Sequence, residues 1–190
     1  MPELQSARQK FPEVKQGGAG WCIPAAIEVA LRYFGAGAIN QEEMVYCYYQ
    51  KFGAGAFCTT LRQGIQFTST DKATIIEAAR QLLLSEANFD VFAEIARELT
   101  AAAHQPIEFT HPPDPANFPG HMKSSVDCGD AFLMACGLPN NDCHILAVVG
   151  YHDDLIDAYD PATGQTDTKT AAQFCVNQDC LIIRKVLTGR

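Results

Sequence analysis

The sequence predicts an α+β protein, with an N-terminal helical half followed by an antiparallel β-sheet half. Two observations carry this. Helical periodicity and helix caps crowd into residues 22–104, whereas apolar runs with strand propensities crowd into 144–187. A doubly wound parallel sheet would instead alternate strands and helices along the whole chain. Of the 190 residues, 47% are hydrophobic and 19% charged, enough apolar material for a sizeable core. The expected organisation is a single domain over 1–190, its helical lobe at about 16–104 and its sheet lobe at about 105–190.

The elements follow in order. Residues 1–15 read as a mobile or loosely docked arm. Pro24 suits a helix's first turn, and Ala25, Ala26, Val29, Ala30 and Tyr33 recur at helical spacing before Gly35. The face is built from alanine, so a neighbour must pack close. Asn40-Gln41-Glu42-Glu43 reads as a cap followed by a helix to about 52, and residues 53–64 as a turn-rich connector. Two more helices are expected over 71–84 and 88–104. A short strand is expected at 107–109. Residues 111–143 are proline-rich at their start and weakly periodic. They are expected to form a substrate-recognition flap, with Ala131 to Cys136 a candidate short helix. The run HILAVVGY from His144 is a central strand, His152-Asp153-Asp154 a turn, LIDAYDP a second strand and 181–187 the last.

The chemistry centres on Cys22. It directly precedes the first helix, where orphan N–H groups and the helix dipole favour a thiolate, and it follows three glycines that allow close backbone approach. His144 heads the most apolar strand and is the candidate base. With the turn at 152–154, paired residue numbers sum to 306, which puts Asp160 on the same sheet face as His144, within side-chain reach as an orienting acceptor. A one-residue slip would separate them, and Asp153, Asp154 and Asp157 are the alternatives.

Gln16, Cys22 in GWCIPAA, His144 in HILAVVGY and Asp160 in YDPATG together resemble the papain-like cysteine peptidases, most closely the double-glycine, bacteriocin-processing group and its stand-alone relatives. The six-residue step from Gln16 to Cys22, the order Gln, Cys, His, Asp, and the Ile39 to Glu43 and Phe174 segments all fit, so the resemblance runs from 16 to 186. Ile23 stands where that group usually has Gly. The resemblance implies a thiol hydrolase of peptide, isopeptide or similar amide bonds. Cys22 would be the nucleophile, His144 the base and Asp160 its orienting acid. The Gln16 side chain and the Cys22 N–H would form the oxyanion hole, with no cofactor required. The alternatives are an acyl transferase with the same residues and a weak or inactive binding module on the same fold.

Lys plus Arg number 14 against 22 Asp plus Glu, a net charge of −8 with no basic cluster, so nucleic acid is not an expected partner; a peptide or protein is. No apolar run reaches membrane-spanning length and the start carries no export signal, so a cytoplasmic location is expected. Most of the eight cysteines are expected to be reduced and buried. Zinc is the rival use of Cys136, Cys143 and His144, or of Cys175 and Cys180, but no pair has metal-site spacing. His104, His111, His121 and His152 read as solvated, with His121 a candidate to line the cleft, and Trp21 reads as packing beside the helix start.

Overall fold

The computed structural model describes residues 10–58, 69–84, 88–137 and 143–186. Residues 1–9 of the expected arm, 59–64 of the connector, 138–142 of the long segment and residue 187 of the last strand lie outside the described residues.

The helical half contains α1 (Cys22–Tyr33), α2 (Gln41–Phe52), α3 (Lys72–Ala79) and α4 (Phe89–Ala102). A two-residue ladder joins β1 (Phe57–Cys58) to β2 (Leu83–Leu84). Helix starts were well marked: Asn40, Asp71 and Asn88 each accept the N–H three residues on, at 3.0, 2.8 and 2.9 Å. The third helix stops at Ala79, short of the expected 84, because Leu83 and Leu84 turn out to pair with Phe57 and Cys58. Along α1, every residue from Ile23 to Leu31 is buried, as its alanine face requires.

The second half contains β3 (Ile107–Thr110), α5 (Phe118–Asp127), β4 (Ala131–Gly137), β5 (Cys143–His152), β6 (Leu155–Asp160), β7 (Gln165–Thr170) and β8 (Val176–Lys185). Six of these are strands of one antiparallel sheet in the order β3-β8-β4-β5-β6-β7. One face, with Leu133, Ile145, Ala147 and Leu181, packs under the helical half. The other, with Phe132, Met134, Leu146, Val148 and Ile182, is covered by Phe118, Met122 and Val126 of α5.

Three expectations are corrected. Residues 131–137 are neither helix nor flap but a central strand between β5 and β8, buried from Ala131 to Cys136. An unbroken apolar run carries no period, and only the two-sided burial offered between β5 and β8 selects a strand. Residues 118–127 are core helix rather than flap: Pro119 falls in the first turn, and Phe118, Met122 and Val126 repeat every four residues. Residues 10–15 are docked at their end. Val14 is buried, its N–H donating to Tyr159 Oη at 3.0 Å and its C=O accepting from that hydroxyl at 2.9 Å. The exposed β7, polar throughout, is an edge strand whose Asp167 and Lys169 discourage further pairing.

Among the described residues, no helix is long and apolar enough to cross a membrane. All eight cysteines are free thiols. Burial pushes the Cys136 and Cys180 thiols up to about 12.

Two outcomes check this architecture. Met122→Ala should cost about 2–5 kcal/mol in urea unfolding, whereas a residue on an exposed flap would cost less than about 0.5. The unfolded chain releases its thiol protons near pH 9, while folded Cys136 and Cys180 hold theirs to about 12. This stability is therefore present in full below pH 9 and is lost as the pH rises through the folded values. The melting temperature should fall on the alkaline side, and less steeply in a Cys136→Ala/Cys180→Ala variant.

Candidate active site

The loop before α1 is held from several sides. Gly17 N–H donates to Gln41 Oε1 at 2.7 Å, Gly17 C=O accepts from Arg80 Nη1 at 2.9 Å, and Gln41 Nε2 donates to Lys15 C=O at 2.9 Å. Gln41 is steadied in turn by Glu28, buried within α1, whose Oε2 accepts the Gln41 N–H at 3.0 Å. Arg80 also pairs with Glu42. In the sequence, Gln41 and Glu42 mark a helix start within the Ile39 to Glu43 segment of the resemblance, whereas Glu28 and Arg80 belong to no motif. The signal was a buried carboxylate on an otherwise apolar helix, which needs partners.

Trp21 is fully buried, as expected of a packing residue; its Nε1–H donates to Ala79 C=O at 3.3 Å and Arg80 lies 5.5 Å from its ring. It also explains the glycines. A Cβ at Gly18 would fall 2.7 Å from the indole, and one at Gly20 would fall 2.9 Å from Leu83 Cα. The glycines therefore admit Trp21 and β2.

Cys22 opens α1, and its partly buried side chain lies against the backbone N–H of Ile145, one residue beyond His144. Burial pushes this thiol up to about 11 and the neighbouring Cys143 adds to the rise; the N–H groups of Ile145, Ile23 and Cys22 oppose it and are outweighed. The sequence argument expected the opposite direction. Helix-end donors favour the thiolate, but lost hydration disfavours it more. The balance therefore favours the protonated thiol over the thiolate.

His144 Nε2 lies 2.7 Å from Asp160 Oδ1, and the same oxygen accepts the Ala162 N–H at 2.7 Å. A carboxylate only accepts, so Nε2 carries the proton and Nδ1 is left as an acceptor. Among the described residues this is the one hydrogen bond of the His144 ring. His144 shares a sheet face with Leu146 and Val148, and Asp160 shares it with Ala158. Cys22 packs with the opposite, helix-covered face. Thiol and His–Asp pair therefore approach the exposed start of β5 from two sides, with no hydrogen bond joining Cys22 to His144.

The register that unites His144 and Asp160 arises from two offsets. The turn is Asp153-Asp154, so His152 pairs with Leu155 and the sum is 307 rather than 306. An irregularity between Val148 and Gly150 restores 306, so Ala147 pairs with Tyr159. Of the alternative acids, Asp157 is buried one position out of phase and accepts from Thr168 Oγ1, while Asp153 and Asp154 form the turn.

Gln16 joins the two halves of the site, its N–H donating to Pro161 C=O at 2.8 Å, directly after Asp160. Its side-chain Nε2 donates to Gly18 C=O at 2.6 Å and Ala19 C=O at 3.1 Å, so both protons are engaged, and its Oε1 is buried without a partner. An oxyanion role requires it to exchange one of these carbonyls for substrate. His121 lies on α5, across the sheet from Cys22. His111 is tied between Cys180 C=O and Asp90 at 2.8 and 2.9 Å rather than simply solvated. Among the described residues no three His, Cys, Asp or Glu side chains group to hold a metal ion.

A helix-start cysteine beside an antiparallel sheet whose adjacent strands pair a histidine with an aspartate is the architecture of the papain-like class. The chain belongs to the Peptidase_C39-like family, whose model matches residues 7–178. Its fold is similar to the crystal structure of a candidate C39-like peptidase from Bacillus anthracis, with a TM-score of 0.58 and 10% identity over 94% of this chain and 96% of that one. No curated protein matches it.

The geometry separates the two buried-strand acids. Asp160→Asn keeps the shape but lets an NH₂ face His144, and should slow turnover at least ~10-fold. Asp157→Asn should lower thermal stability and leave the rate close to wild type. The reverse pattern, read from kcat and melting temperature together, would move the orienting acid to Asp157.

Proposed function

We propose that the protein is a papain-like thiol hydrolase that cleaves a peptide, isopeptide or similar amide bond in a peptide or protein substrate. The observation that carries this reading is the 2.7 Å contact between His144 Nε2 and Asp160 Oδ1, with Cys22 at the helix start against the neighbouring Ile145 N–H. His144 Nδ1 takes the Cys22 proton as sulfur attacks the carbonyl carbon, then returns it to the leaving amine, and water releases the acyl group. Asp160 keeps the ring in the required tautomer. The Cys22 N–H, and the Gln16 amide once freed from one carbonyl, face the developing oxyanion.

A neutral thiol and an engaged Gln16 amide also fit the second reading, a binding module on the same fold in which chemistry is weak. Labelling separates the two. A thiol-directed electrophile should modify Cys22 in the wild type, read by peptide mapping because Cys128, Cys143 and Cys175 are also free and exposed, and Cys22→Ala should abolish hydrolysis without unfolding. His144→Ala should slow labelling at least ~10-fold by removing the base. Labelling of Cys22 that is indifferent to His144 would favour the binding module. Gln16→Ala should reduce turnover by ~10²-fold if the amide serves the oxyanion.

A further inference from the structure

Four cysteines gather around the start of β5. Cys136 pairs across the sheet with His144, Gly137 pairs with Cys143, Gly137 N–H donates to Cys175 C=O at 2.9 Å, and Cys22 lies against Ile145 N–H. Strand alternation sorts them. Cys136 shares the face of Met134 and Leu146, away from α1, and is buried. Cys175 stands on the far side of β4, at the entry to β8. Cys143 alternates with Ile145 and Ala147, which face α1. It is therefore on the same face as Cys22, one alternation before the residue that Cys22 touches. Cys143 is exposed and Cys22 is partly exposed, and the charge of Cys143 is felt at Cys22 as it is at Cys136, which is buried on the other face. The Asn177 side-chain amide donates to Cys143 Sγ at 3.8 Å, a contact that favours its thiolate.

We propose that Cys143 is a resolving thiol for Cys22, closing a reversible Cys22–Cys143 disulfide when a hydroperoxide oxidises the protein. The inference rests on Cys22 being the nucleophile of the proposed hydrolase, for only then does the bond act as a lock on activity. The chemistry balances in two steps. Cys22 sulfur attacks the peroxide, the O–O bond breaks, and Cys22 sulfenic acid forms together with one water from hydrogen peroxide, or one alcohol from an organic hydroperoxide. Cys143 sulfur then attacks the Cys22 sulfur, the S–O bond breaks, and the hydroxyl leaves with the Cys143 proton as water. Two thiols have lost two electrons to one peroxide, and a dithiol reductant reverses the change. Because burial raises both thiols above their ordinary range, oxidation quickens as the pH rises.

The test uses the full chain with hydrogen peroxide, then digestion by an endoprotease cutting before aspartate. Cleavage before Asp130 and Asp142 places Cys136 and Cys143 in different fragments, and an added tryptic cut after Lys15 and Arg32 separates Cys22 from Cys47 and Cys58. A fragment joining Cys22 to Cys143, two hydrogens lighter than its parts, is expected. Iodoacetamide labelling of Cys22 should fall at least ~10-fold on oxidation and return with dithiothreitol. In Cys143→Ser, basal labelling should persist, but peroxide should carry Cys22 to the sulfinic acid and labelling should not return. A Cys22 link to Cys136 or Cys175, no link at all, or equal recovery in Cys143→Ser would overturn the proposal. Peptide mapping needs no turnover, so a chain that forms the link but hydrolyses nothing would sink the hydrolase reading and leave the disulfide standing.

Discussion

The docking of the α1 N-terminus on the first residues of β5 is the constraint around which the site is organised. Residue 145 faces the helices and residue 144 faces away, so one strand borders both the Cys22 thiol and the His144–Asp160 pair. Its Ile145 N–H meets the Cys22 thiol, and its His144 meets Asp160 on β6. The close approach of helix to sheet depends on small side chains, Ala25, Ala26 and Ala30 on α1 and Ala147 on β5, all with no exposed surface. A larger residue there would lift the helix, and the thiol with it, away from the strand.

That docking is reinforced by contacts distant in sequence. Val14 exchanges two hydrogen bonds with Tyr159, and Gln16 N–H bonds Pro161 C=O, so the segment entering the loop before Cys22 is stitched to the strand end that carries Asp160. On the opposite side Gln41 and Arg80 hold Gly17, and Glu28 holds Gln41. Glu28 is 2% exposed, and it is tolerable there because it also accepts from Arg32 Nε at 2.8 Å. The loop is thus positioned by charged and amide groups, whereas the elements beneath it are positioned by apolar packing.

The electrostatics show two effects in competition at one atom. Three backbone N–H groups favour a Cys22 thiolate, and burial of the sulfur disfavours it by more. A thiol held in this way stays protonated until a base is available. The same protection makes the thiol slow to oxidise at neutral pH, which couples the proposed redox lock to the proposed catalytic chemistry through one physical quantity.

By itself the sequence determined the helical half and the order of the site residues. Caps such as Asn40, Asp71 and Asn88 are local signals, and the amphipathic spacing of 89–102 is a local period, so both survive without knowledge of neighbours. The pairing of His144 with Asp160 was legible from strand parity, although the turn used to count it was one residue off and an irregularity near Val149 absorbed the error. Tertiary structure alone decided the rest. Residues 131–137 are a strand because β5 and β8 offer them partners on both sides, a choice their unbroken apolar run leaves open. The Gly-rich loop makes room for an indole because Trp21 folds back over Gly18. The Cys22 thiol is raised rather than lowered because desolvation depends on what is packed around the sulfur, and packing is a property of the assembled fold.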